Sequence, residues 1–84
     1  MKRTDVTYGQ LDNVLRSLGF TRRPAQQSPP GYVYEHKAGA IIILPELAAS
    51  DSVLEHHLVA VRTELDNFGL ANPSVFAARL QKAG

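Results

Sequence analysis

Eighty-four residues make one small domain, 1–84, with material for a modest core. The absence of cysteine excludes a disulfide scaffold and thiolate metal sites, and a net charge of +1 falls short of the basic bias of a protein that grips a long duplex. No apolar run approaches the roughly 18 residues of a membrane span and no apolar signal core opens the chain, so a cytoplasmic protein with no membrane contact is expected.

Thr7 and Gln10 form a Thr-x-x-Gln capping box, which predicts a helix from there to about Leu18. Leu11, Val14, Leu15 and Leu18 recur at i, i+3, i+4 and i+7 and make one apolar stripe, extended by Tyr8. Gly19 ends the helix as a left-handed cap. Asp12, Asn13 and Arg16 are expected to face water. Phe20 to Pro24 reads as a short first strand, with Arg22 and Arg23 on opposite faces. Pro24 and the pair Pro29-Pro30 bound a polar loop that is expected to be mobile.

Tyr32 to His36 and Ala40 to Leu44 are rich in aromatic and β-branched residues, the signal for strands. Between them Lys37-Ala38-Gly39 suits a turn with glycine in the left-handed position. That register pairs His36 with Ala40 and Tyr34 with Ile42; a longer loop slips the pairing by one residue. In the first register Val33, Glu35, Ile41 and Ile43 share one face, and Tyr32, Tyr34, His36, Ile42 and Leu44 the other. The run Ile41 to Leu44 is apolar on both faces, so one face meets the helices and the other meets a partner, a further helix or a ligand.

Pro45 ends that strand. Ser52 and Glu55 predict a second capping box, with Asp51 adding negative charge at the start of a helix that runs to about Asn67. Leu54, Leu58, Val61, Leu65 and Phe68 form its seam, and Gly69 caps it. Asn72 and Pro73 restart a short helix carrying Val75, Phe76 and Leu80. The predicted order is α-β-β-β-α(-α), a three-stranded antiparallel sheet packed on helices, which is an α+β domain.

Chemistry-bearing residues are sparse. His56 and His57 are adjacent on a helix and project about 100° apart, so no metal site and no cofactor site is predicted. His36 ends a strand beside Lys37; a histidine there suits proton transfer, and equally a polar strand end. The local basic groups are Lys2-Arg3, Arg22-Arg23 and Lys37. Glu35 alternates with the tyrosines and suits a cross-strand ion pair. Tyr32 and Tyr34 suit stacking on unpaired bases, or packing against the sheet.

Leu18-Gly19-Phe20 at the helix exit, Tyr34-x-His36-x-x-Gly39 in the hairpin, the apolar strand ending at Pro45 and the tail Gly69-Leu70 with Phe76 and Leu80 resemble, in order and spacing, the HicA (YcfA-like) toxin family of bacterial toxin–antitoxin modules. The resemblance covers nearly the whole chain. It implies a fold like the double-stranded-RNA-binding domain, mRNA-cleaving ribonuclease activity and inhibition by a HicB-like antitoxin. Gly31 stands where the family carries its catalytic histidine, Lys37 replaces a usual proline and Ala40 a frequent basic residue. The resemblance therefore implies RNA binding through Arg22, Arg23, His36 and Lys37, no assigned catalytic residue, and mRNA interferase activity that is weak or lost. The alternative expectation is a non-catalytic interaction module that forms a homodimer or binds a partner through the apolar sheet face.

Overall fold

Thr7 starts the first helix as its capping box predicts. Its side chain accepts from the Gln10 backbone N–H while the Gln10 side chain accepts from the Thr7 N–H at 2.8 Å. The computed structural model describes residues 3–25, 31–46 and 48–83, and the side chains within 4–81 of those ranges. The polar loop 26–30 and Lys2 lie outside the described residues, as does the side chain of Arg3.

The elements run β1 (Arg3–Thr7), α1 (Tyr8–Ser17), β2 (Thr21–Ala25), β3 (Gly31–Glu35), β4 (Ile41–Pro45), β5 (Ser52–Leu54), α2 (Glu55–Asn67) and α3 (Pro73–Ala83). This is an α+β fold with an antiparallel three-stranded sheet, ordered β2-β3-β4. The predicted order α-β-β-β-α(-α) stands, with two strands added to it. Tyr34 pairs with Ile42, as the shorter turn requires. The His36 N–H donates to the Ala40 carbonyl at 3.0 Å, and Gly39 closes the bend at φ +103, where an L side chain is strained.

The start of α2 departs from expectation. Ser52 does not cap it: residues 52–54 are a strand, the N-cap is Leu54, and no side chain bonds there. Arg3–Thr7 supplies the reason. It pairs antiparallel with β5 in a separate two-stranded sheet, and the Thr4 hydroxyl donates to the Val53 carbonyl at 2.9 Å. Val53 is thereby fully buried, and an apolar β-branched side chain gains more from that than Ser52 gains as a cap. Asp51 serves a turn instead: its carboxylate accepts from the Ala48 N–H at 3.2 Å, and its carbonyl accepts from the Tyr8 N–H at 3.0 Å.

One core joins Leu11, Val14 and Leu15 of α1 to Tyr34, Ile42 and Leu44 of the sheet, Val61 and Leu65 of α2, and Phe76 and Leu80 of α3. Burying such an aliphatic side chain contributes about 1.5–3 kcal/mol, so this contact set fixes which sheet face is inside. The α2 seam is tight only at Val61 and Leu65. Phe68, expected as its last member, is 41% exposed and lies beside Gly39 of the hairpin. Asn72 caps α3 as predicted, its side chain accepting from the Val75 N–H at 2.9 Å. Among the described residues no helix is long and apolar enough to cross a membrane.

Candidate functional site

The sheet presents two surfaces, and the register assigns every side chain to one of them. Arg22 pairs with Tyr34 and Pro24 with Tyr32, so these side chains share the helix-facing side with Ile42 and Leu44. Arg23, Val33 and Ile43 are cross-strand neighbours on the opposite side, with Glu35 and Ile41 next to them. The two arginines are thus separated by the sheet itself, as their adjacency in a strand predicts.

On the helix-facing side, Asp12 is the organising group, contrary to the expectation that it faces water. Its carboxylate accepts from the Tyr34 hydroxyl at 2.8 Å, from Arg16 Nε at 3.0 Å and from Arg22 at 3.3 Å. The signal was weak in the sequence, because only the β2–β3 register brings Arg22 and Tyr34 to one point above α1. Burial, together with the bond to Asp12 and the charge of its carboxylate, pushes the Tyr34 phenol up to about 12. Burial, the largest single influence, disfavours the Arg22 cation, but the bond with Tyr34 and the charges of Asp12, Tyr34 and Tyr32 together outweigh it and raise its pKa. The Arg22 guanidinium lies 4.5 Å from the Tyr32 ring centroid, a cation–π contact. All three tyrosines, Tyr8, Tyr32 and Tyr34, line a cavity of about 210 Å³ here, with Asp12, Arg22 and Pro45. A carboxylate already accepting from three donors is poorly placed to serve as a general base.

His36 is held at both nitrogens. Nδ1 lies 3.0 Å from the Ala38 N–H and accepts from it, so Nε2 carries the proton of the neutral ring and donates to the Leu18 carbonyl at 3.0 Å. The ring packs on Phe20, centroids 5.1 Å apart. His36 therefore ties the hairpin to the exit of α1, and neither nitrogen is free to exchange a proton with a substrate while both bonds hold. Gly19 belongs to the same joint: at φ +100, a Cβ there meets His36 Nε2 at 3.2 Å. Lys37 is exposed at the hairpin tip, and among the described residues no ion pair engages it.

On the other side, Arg23 is paired with the Glu35 carboxylate, the cross-strand partner that alternation with the tyrosines suggested. Ile41 and Ile43 stand 53% and 56% exposed, whereas Ile42 and Leu44 are buried. The two-sided apolar strand is thus resolved into one face in the core and one face open. The four residues predicted for nucleic-acid contact do not converge on one patch: Arg22 and Arg23 are ion-paired on opposite faces, His36 bridges two elements, and Lys37 stands at the turn.

His57 donates or accepts with the Tyr8 hydroxyl through Nδ1 at 3.1 Å, and its ring lies 4.1 Å from that of His56. Burial first, and the charge of His56 second, lower its pKa. Among the described residues no group of His, Asp and Glu is arranged to hold a metal ion. Comparison with protein-family models, with curated proteins and with solved structures finds no match for this chain.

Proposed function

We propose that this protein acts by binding another polypeptide through the face of its three-stranded sheet that carries Ile41 and Ile43. One observation carries this reading: Ile41 and Ile43, two large aliphatic side chains on the same face of one strand, stand more than half exposed, next to Val33 of the adjacent strand, which is itself buried. Single exposed apolar residues are ordinary, but two large ones adjacent on one sheet face are the kind of patch that docks a partner. The Arg23–Glu35 pair at its margin supplies the polar rim that interfaces use for specificity. The partner is a second copy of the chain or a HicB-like antitoxin. Light scattering over a concentration series separates these from the start, since a homodimer reaches twice the 9.2 kDa mass of the chain and a monomer stays at it. The Ile41→Lys variant then tests the face: it abolishes self-association or partner binding if the reading holds, and leaves both unchanged if it does not.

A second reading, a HicA-like toxin relative that binds mRNA with weak or absent interferase activity, is favoured by two features. Arg22 stacked on Tyr32 offers a cation and a ring to an unpaired base, and Lys37 stands free of ion pairs among the described residues. Against it, Asp12 and Glu35 already neutralise much of the local positive charge. A gel-shift titration with single-stranded RNA at low salt decides it: binding that weakens steeply with salt and with Lys37→Glu supports RNA, and no shift at any salt removes RNA from consideration.

A further inference from the structure

β4 is an edge strand, and among the described residues no strand pairs with its outer edge. The bond from the His36 N–H to the Ala40 carbonyl sets the phase of the β3–β4 ladder. In that phase Ala40, Ile42 and Leu44 turn their main-chain groups toward β3, and Ile41 and Ile43 turn theirs outward. The Ile41 N–H donates to a Glu64 carboxylate oxygen at 3.2 Å. The Ile41 carbonyl and both main-chain groups of Ile43 have no partner among the described residues. Pro45 then ends the edge with no N–H to offer.

Helix α2 runs alongside. His57, Ala60, Val61 and Glu64, at i, i+3, i+4 and i+7, line one wall of a cleft of about 170 Å³ whose other wall is Ile41 to Leu44. The middle of the helical wall is Ala60, a small side chain that leaves the edge accessible, with Val61 as an apolar floor. Glu64 supplies a negative charge at one end, and among the described residues it makes no ion pair. A groove between a strand edge and a helix is the arrangement that receives an extended peptide as an added strand, with main-chain bonds giving affinity and side-chain pockets giving specificity.

We infer that this cleft binds an extended peptide segment of a partner protein as a fourth strand beside β4, its main chain bonded to the Ile41 carbonyl and to Ile43, an aliphatic side chain over Ala60 and Val61, and a basic side chain at Glu64. The inference rests on the proposed polypeptide-binding role and names how the partner enters. The basic residue is chosen by charge: Glu64 is the carboxylate of the cleft, and β4 itself brings no cation.

The probe is a random nine-residue peptide library displayed on phage, panned against the whole chain. Enriched sequences alternate aliphatic and polar residues and carry a lysine or arginine, and synthetic copies shift the amide resonances of residues 41–44 and 57–64. Ala60→Leu fills the cleft from an exposed helical position and weakens those peptides at least tenfold without changing thermal unfolding. Ile43→Pro removes the outward N–H of an edge strand together with the isoleucine side chain and weakens them as much, while Ile43→Ala, which loses that side chain but keeps the N–H, stays within about threefold. Glu64→Gln selectively weakens the basic peptides. No enrichment, or peptides indifferent to both Ala60→Leu and Ile43→Pro, overturns the inference. Peptides lost in Ile41→Lys but untouched by Ala60→Leu leave the sheet-face reading standing and remove the added strand. A chain that dimerises through β4 and enriches no peptide replaces the partner by a second copy and overturns the inference as well.

Discussion

Replacing Tyr34 with phenylalanine removes one hydroxyl from a site where its energetic role can be worked out. The hydroxyl donates at 2.8 Å to a carboxylate, and the residue is 3% exposed. A hydrogen bond to a charged group contributes about 1.5–3 kcal/mol. Asp12 keeps two guanidinium partners and part of its access to water, which places the loss near the lower end, about 1.5 kcal/mol. The same contact has a signature in pH. The folded-state phenol is raised to about 12, above the ordinary value of 10.0. The stabilisation it contributes is therefore complete below pH 10 and is lost as pH rises through about 12, because the unfolded chain releases its proton first. Urea unfolding followed by circular dichroism, at neutral pH and in steps above pH 10, measures both effects. The wild type loses stability over the alkaline window faster than Tyr34→Phe, and the two curves converge. Equal stability at neutral pH, or parallel alkaline curves, refutes the Asp12-centred account of this site.

Three further outcomes follow from other contacts. His57 has its pKa lowered by burial and by the charge of His56, so the fold favours its neutral form. Stability is complete above the ordinary histidine value of 6.5 and falls as pH drops below it; imidazole NMR titration gives His57 a midpoint below 6.5 that rises in His56→Ala. Gly19→Ala imposes a strained φ and pushes on the His36–Leu18 bond, costing about 2 kcal/mol or more in chemical denaturation, with imidazole 15N shifts reporting loss of the Nε2-protonated tautomer. Leu65→Ala, at a fully buried seam position, costs about 2–5 kcal/mol by the same assay.

Local chemistry made most of this fold readable. The Thr7–Gln10 box, the left-handed glycines at 19, 39 and 69, and the Asn72-Pro73 restart are each decided within a few residues, and each stands where the sequence places it. The hairpin itself was legible too, but its register was not: the sequence allowed two phases, and the structure adopts the one that buries Tyr34, Ile42 and Leu44 together. Nor was long-range pairing. Residues 52–54 look like the approach to a helix until Arg3–Thr7 is laid beside them, and the alternation Thr4, Asp5, Val6, Thr7 was the clue in the sequence. The site follows the same rule. That Glu35 takes a basic cross-strand partner was legible from strand periodicity, though not that the partner is Arg23, and the convergence of Asp12, Arg22 and Tyr34 needs a helix and two strands in place. His36 stood out as a candidate for chemistry because its residue type suits proton transfer; only the structure reveals that the Leu18 carbonyl and the Ala38 N–H occupy both nitrogens.

The proposed binding role of the open side of the sheet is tested most directly by the affinity of the chain for the polypeptide it is proposed to bind, wild type against Ile41→Lys. Ile41 is half-exposed, so the lysine costs about 1 kcal/mol through lost burial and strand preference, a loss that unfolding measurements on the same variant separate from an effect on binding. The account predicts partner affinity reduced at least tenfold in a variant that remains folded. Undiminished affinity in that variant contradicts it.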